Sequence, residues 1–220
     1  MTDPTDKLAA LSREYWEGSL EADPAQATIL GDHRYDDRLA DISPAGIARE
    51  DARVDAIRAR LRGIDPASLS PGDRVTYRAL DEELQRYQQG RSCALHEWTV
   101  SSRSGPHLGF MNLAELTPVK TLEDGRHMTA RWALMGPYMD QEIANLRRGL
   151  ADGRVAPRRS IDLTVAQLDD ILGQPTADWV LCKPAKAPHD DWSAADLDAF
   201  RKELARITED SILTGVRAVP

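Results

Sequence analysis

Aromatic residues make up only 5% of the chain, and just two of them are phenylalanine. A core poor in large rings must be filled by Leu, Ile, Val and Ala, which suits helices packed on helices. Cysteine is as scarce, with Cys93 and Cys182 alone. Neither stands in a C-x-x-C, so a disulfide-stapled scaffold or thiolate metal centre is not indicated. Each has an apolar neighbour, Ala94 or Leu181. Buried thiols in a reducing compartment are therefore the expectation, with a disulfide between the two left open. Long apolar runs are missing too. No window approaches about 18 consecutive apolar residues, so no membrane span is expected. The N-terminus, MTDPTDKLAALSREYW, has mixed charge and lacks the apolar stretch of a signal peptide. Cytoplasm is the expected location.

Positive charge is also in deficit, with a net charge of -8 and a pI near 5.2. That argues against nucleic acid or an anionic membrane as the main partner. The arginines from Arg147 to Arg159 read as a helix end and loop with solvated charge. With 41% hydrophobic and 29% charged residues, the chain is too apolar for disorder. Its 220 residues suit a single helical domain spanning 1–220.

Proline at helix starts and glycine past helix ends punctuate an all-α pattern. A first helix is predicted over Thr5–Glu21, with Leu8, Leu11, Tyr15 and Trp16 buried. Asp23-Pro24 opens a short second helix that Gly31 stops. Ser43-Pro44 and Ser70-Pro71 open two more, striped by Val54, Ile57, Leu61 and by Tyr77, Leu80, Leu84, Tyr87. These two are predicted to form an antiparallel hairpin. Ser92–Lys120 breaks the pattern, and Leu95–Ser102 reads as a short strand or extended segment. Helical signal returns at Thr121, is interrupted at Gly136-Pro137 and stops at Gly153. Ser160–Leu172 and a helix from Ser193 follow, separated by a proline-rich irregular stretch. The fold expected is an irregular helical bundle with a small extended or strand-like segment.

The densest polar cluster is GDHRYDDR, Gly31–Arg38. Asp32, His33, Asp36 and Asp37 have the chemistry of metal ligands or acid–base groups. The plainer reading is a loop whose Asp and Arg side chains pair and cap nearby helices. His96-Glu97 fails as H-E-x-x-H, because Val100 stands where the second histidine is needed. Ser101, Ser102, Ser104 and His107 lie close in sequence, without a G-x-S-x-G elbow. P-loop and dinucleotide fingerprints are absent. These residues offer no complete catalytic or metal site.

Two stretches carry a family resemblance: Ala27–Ser43 (ATILGDHRYDDRLADIS) and Thr121–Arg158, joined by a helical spacer that starts Ser68-Leu69-Ser70-Pro71-Gly72-Asp73. Together they resemble the bacterial family called domain of unknown function 885, over most of Leu11–Asp210. The resemblance implies a longer, zinc-metallopeptidase-like helical hydrolase with H-E-x-x-H in its C-terminal half. Zinc is implied for that half, and no ligand or cofactor is carried over to this chain. The stretch Ile212–Pro220 reads as a helix stopped short, and an N-terminal fragment is the expectation. On this reading the chain is a non-catalytic scaffold that shapes a peptide-substrate cleft together with the missing half. His33, Arg34, Asp36 and Arg158 are the candidate substrate contacts. The alternative is a stand-alone helical binding or interaction module, exposing an apolar surface or covering it by self-association.

Overall fold

A computed structural model describes residues 3–217. The described residues are helical or irregular, and no strand occurs among them. No described helix is long and apolar enough to cross a membrane. Chain contacts divide the protein into two compact units. The first comprises Met1–Ala22 with Asp41–Leu95, the second Asp23–Ala40 with His96–Pro220.

The first unit consists mainly of helices α1 (Pro4–Ala22), α3 (Pro44–Arg62) and α4 (Pro71–Gly90). The predicted punctuation forms as capped ends. Ser43 accepts from the Gly46 N–H and Ser70 from the Asp73 N–H, each with proline at the first helical position. Leu8 and Leu11 of α1 meet Val54, Ile57 and Leu61 of α3 and Leu80 and Leu84 of α4 in one core. Trp16 departs from the predicted stripe and is exposed. Its neighbour Tyr15 turns inward instead.

Polar straps run along the α3–α4 seam. Arg58 is buried, donating to Asp81 at 2.8 Å and to Gln85 at 2.8 Å. Arg91 pairs with Asp51 at 2.8 Å and Asp55 at 2.9 Å. Partners later in α4 thus meet residues earlier in α3, which makes the pair antiparallel.

The second unit holds α2 (Pro24–Ile29), α5 (Pro106–Leu116), α6 (Leu122–Ala133), α7 (Met135–Ala151), α8 (Arg158–Leu172), the short α9 (Lys183–Lys186), α10 (Ala194–Ile207) and α11 (Thr214–Arg217). A π-turn at Thr208–Leu213 links the last two. Thr121 and Asp124 form a reciprocal capping box at the start of α6. The predicted interruption falls at Leu134, one residue before α7 begins, so Pro137 sits in the first turn of α7. There its missing N–H leaves no helical hydrogen bond unmade. Met128, Trp132, Met135, Phe200 and Leu204 centre the core, and the Trp132 indole donates to the Leu181 carbonyl at 3.2 Å.

Helix α5 is the element the pattern reading missed. Gly105-Pro106 opens it as other prolines open their helices, and Phe110, Leu113 and Ala114 are buried. The proposed strand does not form. Of the strand or extended segment expected over Leu95–Ser102, Leu95–Glu97 is a single 3-10 turn followed by irregular chain, because among the described residues no second strand takes up its backbone hydrogen bonds. Cys182 is buried, as the flanking residues suggest, whereas Cys93 is exposed. Ala218, Val219 and Pro220, within the stretch read as a curtailed helix, lie outside the described residues.

Candidate functional site

The GDHRYDDR loop is held from below by one buried residue. Asp23 caps α2, accepting from the Gln26 N–H, and Gly31 at φ +85° turns the chain out of it. Asp32 then caps a 3-10 turn, His33–Tyr35, and binds the Arg34 guanidinium at 2.6 Å. That bond holds the Asp32 carboxyl below its ordinary range. Asp36 is buried. It accepts from the Thr28 hydroxyl at 2.5 Å, from Arg131 at 3.2 Å and contacts His33 Nδ1 at 2.8 Å.

Arg131, on α6, is 0% exposed and also donates to the Tyr35 carbonyl at 2.6 Å and the Thr28 hydroxyl at 3.0 Å. Burial lowers its pKa from the ordinary arginine value, and Asp36 opposes that shift. The cluster is thus a buried ion pair fastening a loop to α6, with His33 and Arg34 left on the surface. Arg158 stands exposed at the first position of α8 and takes no part in these bonds. Among the described residues, no three His, Cys, Asp or Glu side chains converge to hold a metal ion. The metal-centre reading of Asp32, His33, Asp36 and Asp37 is therefore corrected. Their carboxylates face guanidinium groups: Arg34, Arg131 and, for Asp37, Arg38 at 3.4 Å. The described residues do not fit a zinc ion.

The His96-Glu97 pair also has a structural partner set. Glu97 receives Arg148 at 3.2 Å and Arg154, tying the end of α7 to the irregular segment. Gly149 permits this approach, since a Cβ there would overlap the Glu97 carbonyl. His107 is buried and meets no serine. Gln167 donates its amide to the Ser102 carbonyl at 3.0 Å, which leaves its oxygen to accept from His107 Nε2 at 3.1 Å. Among the described residues, no hydrogen bond joins His107 to Ser101, Ser102 or Ser104.

These contacts frame a cavity of about 250 Å³ between α7, α8 and the irregular Glu97–His107 segment. Its walls are largely apolar: Met139, Ile143 and Leu146 from α7, Leu168 from α8, and Trp98 and Val100 opposite. Leu150, Val155, Ile161 and Val165 also line it and remain exposed, at 65%, 63%, 38% and 39%. Such a group of accessible apolar side chains around a hollow is what a binding site presents. Thr164 belongs to the wall, and its hydroxyl is buried without a partner.

Glu142 faces the same space, and burial raises its pKa from the ordinary value. One turn earlier on α7, Tyr138 is pushed up to about 12 by burial and by Glu142. A second cavity of about 220 Å³ lies on the other side of His107, lined by Phe110, Trp179 and Leu181.

Sequence reading missed this cavity and, among its polar residues, Glu142 and Thr164. One signal was present. Glu142 interrupts an apolar stripe, four residues after Tyr138 and four before Leu146, where a solvated charge is out of place. Thr164 gave no such signal. A family model described as bacterial protein of unknown function (DUF885) matches residues 24–219. No curated protein matches the chain.

Proposed function

Because the chain belongs to the DUF885 family of bacterial proteins of unknown function, we propose that it is the helical, substrate-shaping part of a zinc-peptidase-like hydrolase. On this reading the reacting groups lie elsewhere in the polypeptide, and the part seen here binds. The observation that carries the proposal is the apolar cavity between α7 and α8 with its exposed apolar rim. An apolar side chain of a peptide would enter between α7 and α8. His33, Arg34 and Arg158 stay candidate outer contacts, because all three residues are exposed. Asp36 contributes indirectly by anchoring the loop that carries His33 and Arg34.

The test is direct. The 220-residue chain is incubated with a mixed fluorogenic peptide pool, with and without added zinc and chelator. In parallel, its tryptophan fluorescence is titrated with apolar peptides. Binding without hydrolysis is expected, with Val165→Asp abolishing the binding. Chelator-sensitive cleavage by the chain alone overturns the proposal, as does failure of any apolar peptide to bind.

The same exposed ring of Leu150, Val155, Ile161 and Val165 favours a second reading, a helical interaction module that acts without chemistry. Concentration-dependent dimerisation in sedimentation, lost in Val165→Asp, would favour self-association over peptide capture.

A further inference from the structure

We infer that the cavity beside Glu142 takes an apolar group that carries a protonated primary amine, with the ammonium on the Glu142 carboxylate and the apolar body between α7 and α8. This rests on the binding role proposed above and adds the ligand's chemical class. The argument is one of charge. Of the charged side chains along the cavity, Glu97 and Arg154 are paired with one another. Arg148 adds a second guanidinium on Glu97, and Asp152 a second carboxylate on Arg154 at 2.8 Å. Two guanidinium groups therefore meet two carboxylates, and the rim is balanced.

Glu142 is different. Among the described residues no hydrogen bond or ion pair reaches it. Its titratable neighbour on α7, Tyr138, stays neutral at physiological pH. His107, across the cavity, already directs its Nε2 proton to Gln167. A half-buried carboxylate without a partner favours an incoming cation and repels an incoming anion. A neutral apolar ligand would fill the space and leave the charge uncompensated. The volume, about 250 Å³, lies just below the usual range of roughly 300–1,000 Å³ for drug-sized ligands. It has room for one large side chain with its amine. Two sources share this chemistry: a small free amine, and the N-terminus of a peptide that begins with an apolar residue.

The experiment is calorimetric titration of the full chain with three ligands of matched shape: 2-phenylethylamine, 2-phenylethanol and 3-phenylpropanoate. The amine should bind at least roughly tenfold tighter than the alcohol, the scale of one hydrogen bond to a charged group. The carboxylate should bind weakest. In Glu142→Gln the amine should fall to the level of the alcohol, while an unaltered far-UV circular dichroism spectrum reports an intact fold. Equal binding of amine and alcohol by the unaltered protein overturns the ligand class and leaves the binding role standing. Absence of binding by all three overturns both. Leu-Gly-Gly and its N-acetylated form separate the sources. Binding lost on acetylation supports the inference with a peptide terminus as ligand, whereas binding of phenylethylamine alone supports it with a small amine.

Discussion

Replacing Arg131 by methionine tests whether the polar cluster of the 31–38 loop is held together as described. Arg131 is fully buried and its partner Asp36 is 8% exposed. The substitution keeps an unbranched side chain in the α6 wall and removes four contacts: to Asp36, to Thr28 and to the carbonyls of Tyr35 and Pro24. What remains is a carboxylate with low access to water that has lost its guanidinium and keeps the Thr28 hydroxyl and His33 Nδ1. Breaking a buried pair from one side costs about 3–5 kcal/mol, mainly because of that stranded charge. At about 2–4 °C per kcal/mol for a chain of this size, the melting temperature should fall by roughly 6–20 °C.

Tryptophan fluorescence during urea or thermal unfolding is a suitable probe, because Trp98, Trp132, Trp179 and Trp192 all belong to the second unit. The cause is then isolated with Asp36→Asn. If the stranded charge dominates, Arg131→Met with Asp36→Asn should be more stable than Arg131→Met alone, by about 1–2 kcal/mol in a double-mutant cycle. Amide exchange over residues 31–38 should rise in the single variant, since the loop would lose its anchor. A single variant within about 1 kcal/mol of the unaltered protein would refute the assignment of Arg131 as that anchor. So would a double variant no better than the single.

Three further outcomes follow from geometry already described. Gly149→Ala places a Cβ against the Glu97 backbone carbonyl, which cannot swing away, so a loss of about 1–3 kcal/mol in urea unfolding is expected; a change below a few tenths would deny the close approach. Thr121→Ala removes the hydroxyl that accepts from the Asp124 N–H and leaves the reciprocal bond from the residue-121 N–H to the Asp124 carboxylate, and should cost about 1 kcal/mol, whereas Thr121→Ser should cost little. Burial raises the Glu142 pKa in the folded state, so the folded protein holds that proton longer than the unfolded chain does. Stability from this residue is then complete at acid pH and declines as pH rises from the unfolded carboxylate pKa through the raised folded one. Glu142→Gln should match the unaltered protein at low pH and exceed it at neutral pH, and parallel pH–stability curves for the two would sink the account.

Much of the helical scaffold was legible in local chemistry. Ser43-Pro44 and Ser70-Pro71 each set a cap acceptor before a residue with a fixed φ, so both helix starts fall where they were predicted. Val54, Ile57 and Leu61 recur at helical spacing and do form the buried face of α3. The family was met separately, as a resemblance carried by Ala27–Ser43 and Thr121–Arg158, and the match over 24–219 bears it out. Helix α5 was lost because polar and small residues before it masked a start signal of the same kind, Gly105-Pro106. Leu95–Ser102 alternated like a strand, but alternation makes a strand only when another chain segment supplies the ladder.

The cavity lay beyond what periodicity can say. Period 3.6 distinguishes the apolar side of a helix from the polar side, yet it cannot tell whether that side meets another helix or a hollow. Met139 and Ile143 sit on one stripe of α7 with Leu150, and the first two are buried while Leu150 is 65% exposed. The charges follow the same rule. Asp36 and Glu142 are both carboxylates near apolar residues in sequence. Arg131, 95 residues away from Asp36, neutralises one of them, and among the described residues nothing so placed reaches the other. Caps, stripes and breaks depend on residues within a few positions of each other, so the linear order determined them. Burial, pairing of distant charges and empty volume depend on which helices meet, and only the tertiary structure decided those.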